Sequence, residues 1–219
     1  MKGLAVITSI MRLKGFNFSC LLLILTLLSS CTEQTIETKA EAPLSASKLK
    51  AYINEASQFC KTKNLNDDFF ILIDLGIHSG KKRFFSWDFR KKTFTDSFLV
   101  SHGCCSNAWG KTFSKAKAGV SNQDGSHCSS VGRYRIGKRG FSNWGIKVKY
   151  FMHGLDSTNS NAMKRDIVFH SWEAVSDDEV YPAGTPEGWG CPAVSNSAMR
   201  LIDERLKKSK KNVLMWIIQ

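Results

Sequence analysis

The sequence lacks several features that would place it in common functional classes. It has no glycine-rich pattern of the dinucleotide-binding or P-loop type, and no segment repeats along the chain. These absences argue against a nucleotide-dependent enzyme of either type and against a repeat architecture. The apolar run from Cys20 to Leu28 is too short to cross a bilayer as a helix.

The N-terminal segment, residues 1–30, contains no acidic residue. The basic residues Arg12 and Lys14 precede the short apolar run, and small residues follow it, which is typical of a signal peptide. A start at Met11 would give a more usual signal length than a start at Met1, and both starts stay open. We predict that residues 1–30 are a signal peptide and that the protein acts outside the cytoplasm.

The residues that follow the apolar run, Leu28-Ser29-Ser30-Cys31, resemble the lipobox of bacterial lipoproteins. In that family the signal is cut before the cysteine, which then carries lipid; an ordinary cleaved signal with a chance cysteine is the alternative. The resemblance implies that Cys31 anchors the protein in a membrane. Thr32 is not the aspartate associated with inner-membrane retention, which favours the outer membrane. Residues 31–46 are polar and aperiodic, and we predict that they form a flexible tether.

The net charge of +12 and a pI near 9.5 raise the question of nucleic-acid binding. The basic residues are scattered along the chain, and an exported protein rarely meets nucleic acid. We therefore expect no nucleic-acid partner. A basic surface that faces anionic envelope polymers or lipid headgroups explains the charge, and simple solubility is the alternative.

The cysteines give a further indication about the compartment and about metal binding. Five of the seven lie beyond the signal peptide and the lipobox, an odd number that leaves at least one thiol unpaired or pairs it between chains. Cys104, Cys105, His127 and Cys128 suggest zinc, but adjacent cysteines are poor tetrahedral ligands. We predict no metal site and a disulfide between Cys128 and one of the adjacent pair. The five cysteines are Cys60, Cys104, Cys105, Cys128 and Cys191.

Residues 47–219 are enough for one domain, which we predict to be mainly β with flanking helices. The spacing of apolar residues predicts an amphipathic helix from Ser47 to Lys61. Short apolar or alternating runs separated by turn residues predict an antiparallel sheet. The predicted strands are Phe69 to Asp74, Arg83 to Phe89, Phe94 to Val100, Gly132 to Ile136, Ile146 to Met152, Ile167 to Ser171 and Val213 to Ile218.

A second helix is predicted from Ser197 to about Lys207, with Asn196 as its N-cap. Two stretches rich in Gly, Ser and Asn, His102 to Gly110 and Gly119 to Ser130, are predicted as long loops of the kind that carry function. The residues of the helix predicted to face inward are Ala198, Met199, Leu201, Ile202 and Leu206.

The chemistry-bearing segment lies between the strand that ends in His170-Ser171 and the turn Gly188-Trp189-Gly190-Cys191-Pro192. The glycines of the turn expose backbone N–H groups that can face an oxyanion, and Pro192 fixes the chain after the cysteine. A thiol needs a nearby base to react at neutral pH, and His170 is the natural candidate. The alternative is that the spacing of His170 and Cys191 in the sequence is a coincidence.

This segment resembles the murein L,D-transpeptidase catalytic domain family, in the branch whose nucleophile motif is Trp-Gly-Cys-Pro-Ala. The resemblance spans about Phe69 to Ile218 and implies the sandwich- or barrel-like β fold of that catalytic domain. Other motifs of the branch occur in order: Ser101-His102-Gly103, Gly125-Ser126, Ser129-Ser130-Val131-Gly132, Gly154-Leu155-Asp156, Asn159, Asn161-Ala162, Arg165 and Ile167-Val168-Phe169-His170.

The resemblance implies that Cys191 is the nucleophile and that His170 is the general base, with its ring oriented by a backbone carbonyl, that of Ser171. Backbone amides around Gly190 and Cys191 would form the oxyanion hole. The thiolate would attack the third, L-configured residue of a peptidoglycan tetrapeptide stem, expel D-alanine and pass the acyl group to an acceptor amine. No cofactor is implied.

Two positions depart from the wider family, which usually has histidine where this chain has Trp189 and often Arg or Asn where it has Ala193. Trp189, Arg165 and Ser130 are candidate substrate-binding residues, although Arg165 could instead bind loop carbonyls. His102 and His153 are interpreted as structural. An L,D-carboxypeptidase that uses water as acceptor, or a catalytically silent peptidoglycan-binding lipoprotein, are the alternative functions. The listed candidates are therefore Cys191, His170, Gly190, Ser171, Trp189, Arg165, Ser130 and, for lipidation, Cys31.

Overall fold

The computed structural model describes residues 46–219. The predicted signal peptide (residues 1–30), the predicted lipidation site Cys31 and all but the last residue of the predicted tether (residues 31–46) lie outside the described residues. Within 46–219, no helix is long and apolar enough to cross a membrane.

Two α-helices flank the sheet, α1 at Ala46–Thr62 and α2 at Asn196–Lys208. In α1, Ala56 and Cys60 are fully buried, and Leu49, Tyr52, Ile53 and Phe59 pack beside them. The predicted apolar stripe of the first helix is therefore confirmed. Its partners on the sheet include Phe70, Leu72 and Trp216.

Eight strands form a single sheet in the order β3-β2-β1-β8-β4-β5-β6-β7. Seven of them match the predicted strands to within a few residues, and the two-residue β7 was not predicted. The strands are β1 (Phe69–Asp74), β2 (Phe84–Asp88), β3 (Thr93–Phe98), β4 (Gly132–Phe141), β5 (Val148–Gly154), β6 (Val168–Ser171), β7 (Ala193–Val194) and β8 (Leu214–Ile218).

The expectation of an antiparallel sheet is only partly correct, because two strand pairs are parallel: β1 with β8 and β6 with β7. Parallel neighbours must be joined by a long connection, and the C-terminal β8 lies between β1 and β4. Alternating apolar residues report which face of a strand is buried and not which way its neighbour runs. All six residues of β1 are buried, because the sheet is covered on both faces there.

The sheet curls until its two ends meet. The rings of Phe84 on β2 and Phe169 on β6 stack with centroids 5.8 Å apart, although four strands separate β2 from β6 in the sheet order. Just after β3, the N–H of Ser101 donates to the carbonyl of Ala193 on β7 at 2.8 Å. The predicted architecture, mainly β with flanking helices in an L,D-transpeptidase-like fold, is therefore confirmed as a nearly closed, barrel-like sheet.

Two details of α2 differ from the prediction. Ser195 caps the helix, since its side chain accepts a hydrogen bond from the N–H of Ala198, and Asn196 is the first helical residue. Leu201 is 55% exposed, so it does not face the core. Ala198, Met199, Ile202 and Leu206 are buried and fill one core with the inward faces of the strands. Serine and asparagine are equally good N-cap residues, so the sequence alone does not decide whether Ser195 or Asn196 caps the helix.

Candidate active site

The turn that carries Cys191 lies between two segments of the long β3–β4 connection. The N–H of Gly188 donates to the carbonyl of His102 at 2.7 Å, and the N–H of Cys104 donates to the carbonyl of Gly188 at 2.7 Å. On the other side, Ser129 Oγ donates to the carbonyl of Gly190 at 3.2 Å. The backbone of the turn is therefore held on both sides.

Gly190 cannot be replaced without strain. Its φ is +99°, a conformation that side-chain-bearing residues rarely adopt, and a Cβ would lie 2.5 Å from the carbonyl oxygen of Cys128. This close approach brings the segment around Cys128 directly against the turn that carries Cys191.

A disulfide between Cys105 and Cys128 joins the two segments that hold the turn. This confirms the predicted disulfide between Cys128 and one of the adjacent cysteines. Cys60, Cys104 and Cys191 are free thiols. Cys60 and Cys104 are buried, whereas Cys191 is only partly buried, so Cys191 is the free thiol that a solute can reach.

His170 lies near the end of β6, beside β7 and its preceding turn. Its Nδ1 lies 2.9 Å from the carbonyl oxygen of Ser171. Because a carbonyl only accepts hydrogen bonds, Nδ1 carries the proton and Nε2 keeps its lone pair. Burial lowers the pKa of His170 below its ordinary value, against the opposing effect of that hydrogen bond. The imidazole is therefore neutral near pH 7 and able to accept a proton.

The thiol of Cys191 lies beside the start of β6, where the N–H of Val168 points to Sγ at 3.4 Å. Burial raises the pKa of the Cys191 thiol above its ordinary value, and the Val168 N–H and the Arg165 guanidinium offset this only in part. The resting pair is therefore a protonated thiol and a neutral imidazole, and the thiol needs a base in order to react.

Backbone donors are available at the same place. Within residues 46–219, neither the N–H of Gly190 nor that of Cys191 donates a hydrogen bond. Preorganised N–H groups of this kind stabilise the oxyanion of a tetrahedral intermediate. A thiol, a neutral imidazole and two free amide N–H groups are the kinds of group that acyl transfer needs.

Cys191 and His170 open into a cavity of about 340 Å³ whose walls are largely aromatic. Trp189, a candidate substrate-binding residue from the sequence, lines the cavity, whereas Trp109, Trp144 and Trp172 were not identified from the sequence. They come from three separate segments, so no local spacing connects them. The lining residues are Ser101, Trp109, Trp144, His170, Trp172, Gly188, Trp189, Cys191 and Ala193.

Arg165 and Ser130, the other two predicted substrate-binding residues, do not line this cavity. The Arg165 guanidinium donates to the carbonyls of Ser121 (2.9 Å) and Cys128 (2.5 Å), and also to the hydroxyl of Ser130. Ser130 Oγ in turn donates to the Ser121 carbonyl at 2.9 Å. These contacts favour the structural alternative for Arg165. Its side chain holds together the loop that packs against the turn that carries Cys191.

A buried polar cluster also lies behind the turn, and sequence reasoning missed most of it. The Arg83 guanidinium is fully buried and lies 2.8 Å from Nδ1 of His102, whose Nε2 is 3.1 Å from Ser114 Oγ. Glu187, directly before Gly188, accepts a hydrogen bond from the Ser114 N–H at 2.6 Å. Burial lowers the pKa of His102 to about 3, which makes it a neutral structural residue.

Two carboxylates at this cluster favour the charged form of the buried Arg83 guanidinium. Burial lowers the pKa of the Arg83 guanidinium to about 9, while the carboxylates of Asp74 and Glu187 oppose that shift. In the part of the chain that the structure describes, no three His, Cys, Asp or Glu side chains are grouped to hold a metal ion.

Comparison with known proteins gives one family and several distant folds. The L,D-transpeptidase catalytic domain family matches residues 40–216. No curated protein matches the chain. The helical cell shape determining protein Pgp2 from Campylobacter jejuni is 14% identical over 69% of this chain and 48% of its own, with a TM-score of 0.42.

Two further solved structures are similar at the same distant level. An L,D-transpeptidase from Xylanimonas cellulosilytica is 11% identical over 73% of this chain and 68% of its own, with a TM-score of 0.38. Bd1075 from Bdellovibrio bacteriovorus is 13% identical over 72% of this chain and 50% of its own, with a TM-score of 0.41. The chain spans about half the length of Pgp2 and of Bd1075. Because the family match covers most of the sequence, this chain belongs to the L,D-transpeptidase catalytic domain family.

Proposed function

We propose that this protein is a peptidoglycan L,D-transpeptidase that works through a Cys191 thioester. The observation that carries the proposal is the meeting of Cys191 and His170 in one cavity, with Nδ1 of His170 bound to the Ser171 carbonyl so that Nε2 is free to act as a base. Membership in the L,D-transpeptidase catalytic domain family supports the same chemistry.

In the acylation step, Nε2 of His170 takes the proton of the Cys191 thiol as Sγ attacks the carbonyl carbon of the third stem residue. The N–H groups of Gly190 and Cys191 donate to the resulting oxyanion. When the tetrahedral intermediate collapses, the C–N bond breaks and the imidazolium returns its proton to the amine of the departing D-alanine. A thioester on Cys191 remains.

In the second step, an acceptor amine on a neighbouring stem attacks the thioester carbonyl. His170 takes a proton from that amine, an amide bond forms, and the proton returns to the Cys191 thiolate. If water attacks instead, the product is a tripeptide stem and the enzyme is an L,D-carboxypeptidase.

The proposal includes an extracytoplasmic location, since the substrate lies outside the cytoplasm. Residues 1–30 would be removed as a signal peptide, Cys31 would carry the lipid, and residues 31–46 would tether the domain of residues 47–219 to a membrane, the outer membrane by analogy. The motif Leu28-Ser29-Ser30-Cys31 supports this part of the proposal.

The test incubates the purified protein with disaccharide tetrapeptide muropeptides and follows the products by liquid chromatography and mass spectrometry. We expect free D-alanine and either cross-linked dimers or tripeptides, together with an acyl adduct on Cys191. Cys191→Ala should abolish turnover, and His170→Ala should lower it on the order of 10²- to 10⁴-fold because a positioned base is lost. Cys60→Ala, which removes a buried thiol in α1, is the matched control and should keep full activity.

The products also separate the alternatives. Dimers support transpeptidation, whereas tripeptides alone support the carboxypeptidase. Full activity of Cys191→Ala would overturn the mechanism. A wild-type protein that binds peptidoglycan but never releases D-alanine would instead be a silent binding lipoprotein.

A further inference from the structure

Four of the six tryptophans of the chain form one continuous surface beside Cys191. We call Trp109, Trp144, Trp172 and Trp189 the tryptophan wall. The ring centroid of Trp109 lies 5.0 Å from that of Trp172, 5.8 Å from Trp144 and 6.5 Å from Trp189. The rings therefore contact one another, and those of Trp109, Trp144 and Trp189 are partly exposed.

Three of the four rings of the wall lie outside the buried core. Trp172 is buried, but Trp109, Trp144 and Trp189 are 44%, 43% and 61% exposed. A tryptophan ring usually buries a large apolar area, and a contiguous exposed apolar patch on a soluble domain marks a binding site. In the described part of the chain these three rings remain partly exposed, so a ligand that covers them would bury apolar surface.

The scaffold holds the wall in place before any ligand arrives. Trp144 lies in the β4–β5 turn, where the N–H of Ile146 donates to Ser171 Oγ at 3.0 Å. Trp189 stacks on the His127 ring with centroids 5.4 Å apart and an interplanar angle of 24°. A preformed aromatic face loses little conformational entropy on binding, so its contacts contribute more fully to affinity.

The chemistry of the wall selects an uncharged, flat partner. The rings touch, so they leave no space between them for a cation, and the other lining residues of the cavity carry no charge when His170 is neutral. The peptide stem of the proposed substrate consists of alanine and charged residues, which offer no large apolar face. The sugar rings of the glycan strand offer flat C–H faces with hydroxyls at their rims, and such faces pack on aromatic rings.

The extent of the wall fits the separation of sugar and reacting carbonyl. Steps of 6.5 Å and 5.8 Å lead from Trp189, beside the nucleophile turn, through Trp109 to Trp144. In a tetrapeptide stem, three residues lie between the sugar and the reacting carbonyl, and an extended chain spans about 3.3–3.6 Å per residue. An extended stem whose third carbonyl lies at Cys191 is therefore long enough for its sugar to reach the wall.

We propose that the tryptophan wall is a glycan subsite, which binds a sugar ring of the strand that bears the donor stem. The inference rests on the proposed function, because it takes the peptidoglycan stem as the donor. It makes the enzyme select stems that are attached to glycan over free peptides of the same sequence.

The binding test uses the full-length protein with Cys191→Ala, so that no turnover occurs, and titrates peptide-free oligosaccharides of N-acetylglucosamine and N-acetylmuramic acid by calorimetry. We expect binding, and we expect Trp109→Ala and Trp144→Ala each to weaken it on the order of tenfold, because each removes part of the apolar face that the sugar covers. Phe141→Ala is the matched control, since its ring is 70% exposed and lies outside the cavity, and the affinity should not change.

A kinetic arm compares the kcat/KM of the wild type for a disaccharide tetrapeptide and for the free tetrapeptide. We expect the disaccharide form to be preferred about tenfold, and we expect the preference to shrink in both tryptophan variants. Equal kcat/KM values in the wild type, or oligosaccharide binding that Trp109→Ala and Trp144→Ala both leave intact, would overturn the subsite. If neither substrate releases D-alanine, the proposed function fails, and the calorimetry still reports whether the wall binds glycan.

Discussion

Removal of the Cys105–Cys128 disulfide by a Cys105→Ser, Cys128→Ser double substitution should loosen the turn that carries Cys191. The disulfide joins the segment that holds Gly188 to the segment that contacts Gly190. Both cysteines are changed together, because a single Cys105→Ser substitution would leave Cys128 as a new unpaired thiol in addition to the free thiol of Cys104.

The size of the effect follows from the loop that the disulfide closes. The two cysteines are separated by 23 positions. For a loop of this length, the loss of chain entropy in the unfolded state is worth about 3 kcal/mol at 25 °C. In a domain of this size, a change of 1 kcal/mol moves Tm by about 2–4 °C, so we expect Tm to fall by roughly 6–12 °C.

We expect the loss of activity to be larger than the loss of stability alone would cause. At a temperature where both proteins are folded, the variant should release D-alanine from muropeptides at least about tenfold more slowly. The reason is geometric: an error of about 1 Å in the position of a nucleophile can cost on the order of 10²-fold in rate. Calorimetry gives Tm, and mass spectrometry of the products gives the rate, with Cys60→Ala as the control for the loss of a thiol.

Two outcomes would refute this reasoning. An unchanged Tm would show that the disulfide does not constrain the chain. A lower Tm with the full rate at a permissive temperature would show that the turn keeps its geometry without the disulfide, so that the hydrogen bonds of Gly188 and Gly190 are sufficient alone.

Three further predictions concern the base, the buried charge and the anchor. Because burial lowers the pKa of His170, the acid limb of a kcat/KM profile should have its midpoint below pH 6.5, and a midpoint above 6.5 would contradict this. For the same reason, the free energy of unfolding should fall as the pH drops below the pKa that the histidine has in the unfolded chain. Glu187→Ala should lower the free energy of unfolding by about 1–3 kcal/mol, because the Ser114 N–H loses its acceptor and a carboxylate that favours the charge of the buried Arg83 guanidinium is removed. Glu187→Gln keeps an acceptor and should cost less, and equal losses in a denaturant titration would contradict this argument. Cys31→Ser should move the protein from the detergent-soluble membrane fraction to the soluble envelope fraction, and a wild type that is already soluble and carries no lipid mass would refute the anchor.

The strands were the most predictable part of the fold. Phe69–Asp74 and Leu214–Ile218 are continuous apolar runs bounded by polar residues, and both are strands with every residue buried. The far end of β4 was not predicted, because residues 137–141 carry no apolar alternation. Those residues are held in the sheet by pairing with β5 across an irregularity between Ile136 and Arg139. Tertiary pairing overrides local propensity there.

The candidate site also contains both residues that the sequence indicates and residues that it does not. Cys191 and His170 were predicted as candidates because the glycine-rich turn and the strand end are local patterns and because the surrounding motifs resemble those of the L,D-transpeptidase family. Trp109 and Trp144 were not, since each stands alone in a loop and meets Trp189 only after the chain has folded. Arg83 has the appearance of a solvent-exposed basic residue in the sequence, beside Lys81 and Lys82, yet its side chain is fully buried.

The separation of His170 and Cys191, 191 − 170 = 21 positions, has a structural cause. His170 is in β6, and Cys191 lies two residues before the start of β7. The two strands are parallel, so a connection of a dozen or more residues must return the chain to the same end of the sheet. β7 contains only two residues, and its carbonyl at Ala193 is taken by Ser101, where the two ends of the sheet meet. The backbone just before β7 therefore lies beyond the ladder of strand hydrogen bonds, and the N–H groups of Gly190 and Cys191 stay free. Within residues 46–219 these two N–H groups are the donors that the proposed mechanism assigns to the oxyanion, and they lie at the partly exposed thiol of Cys191.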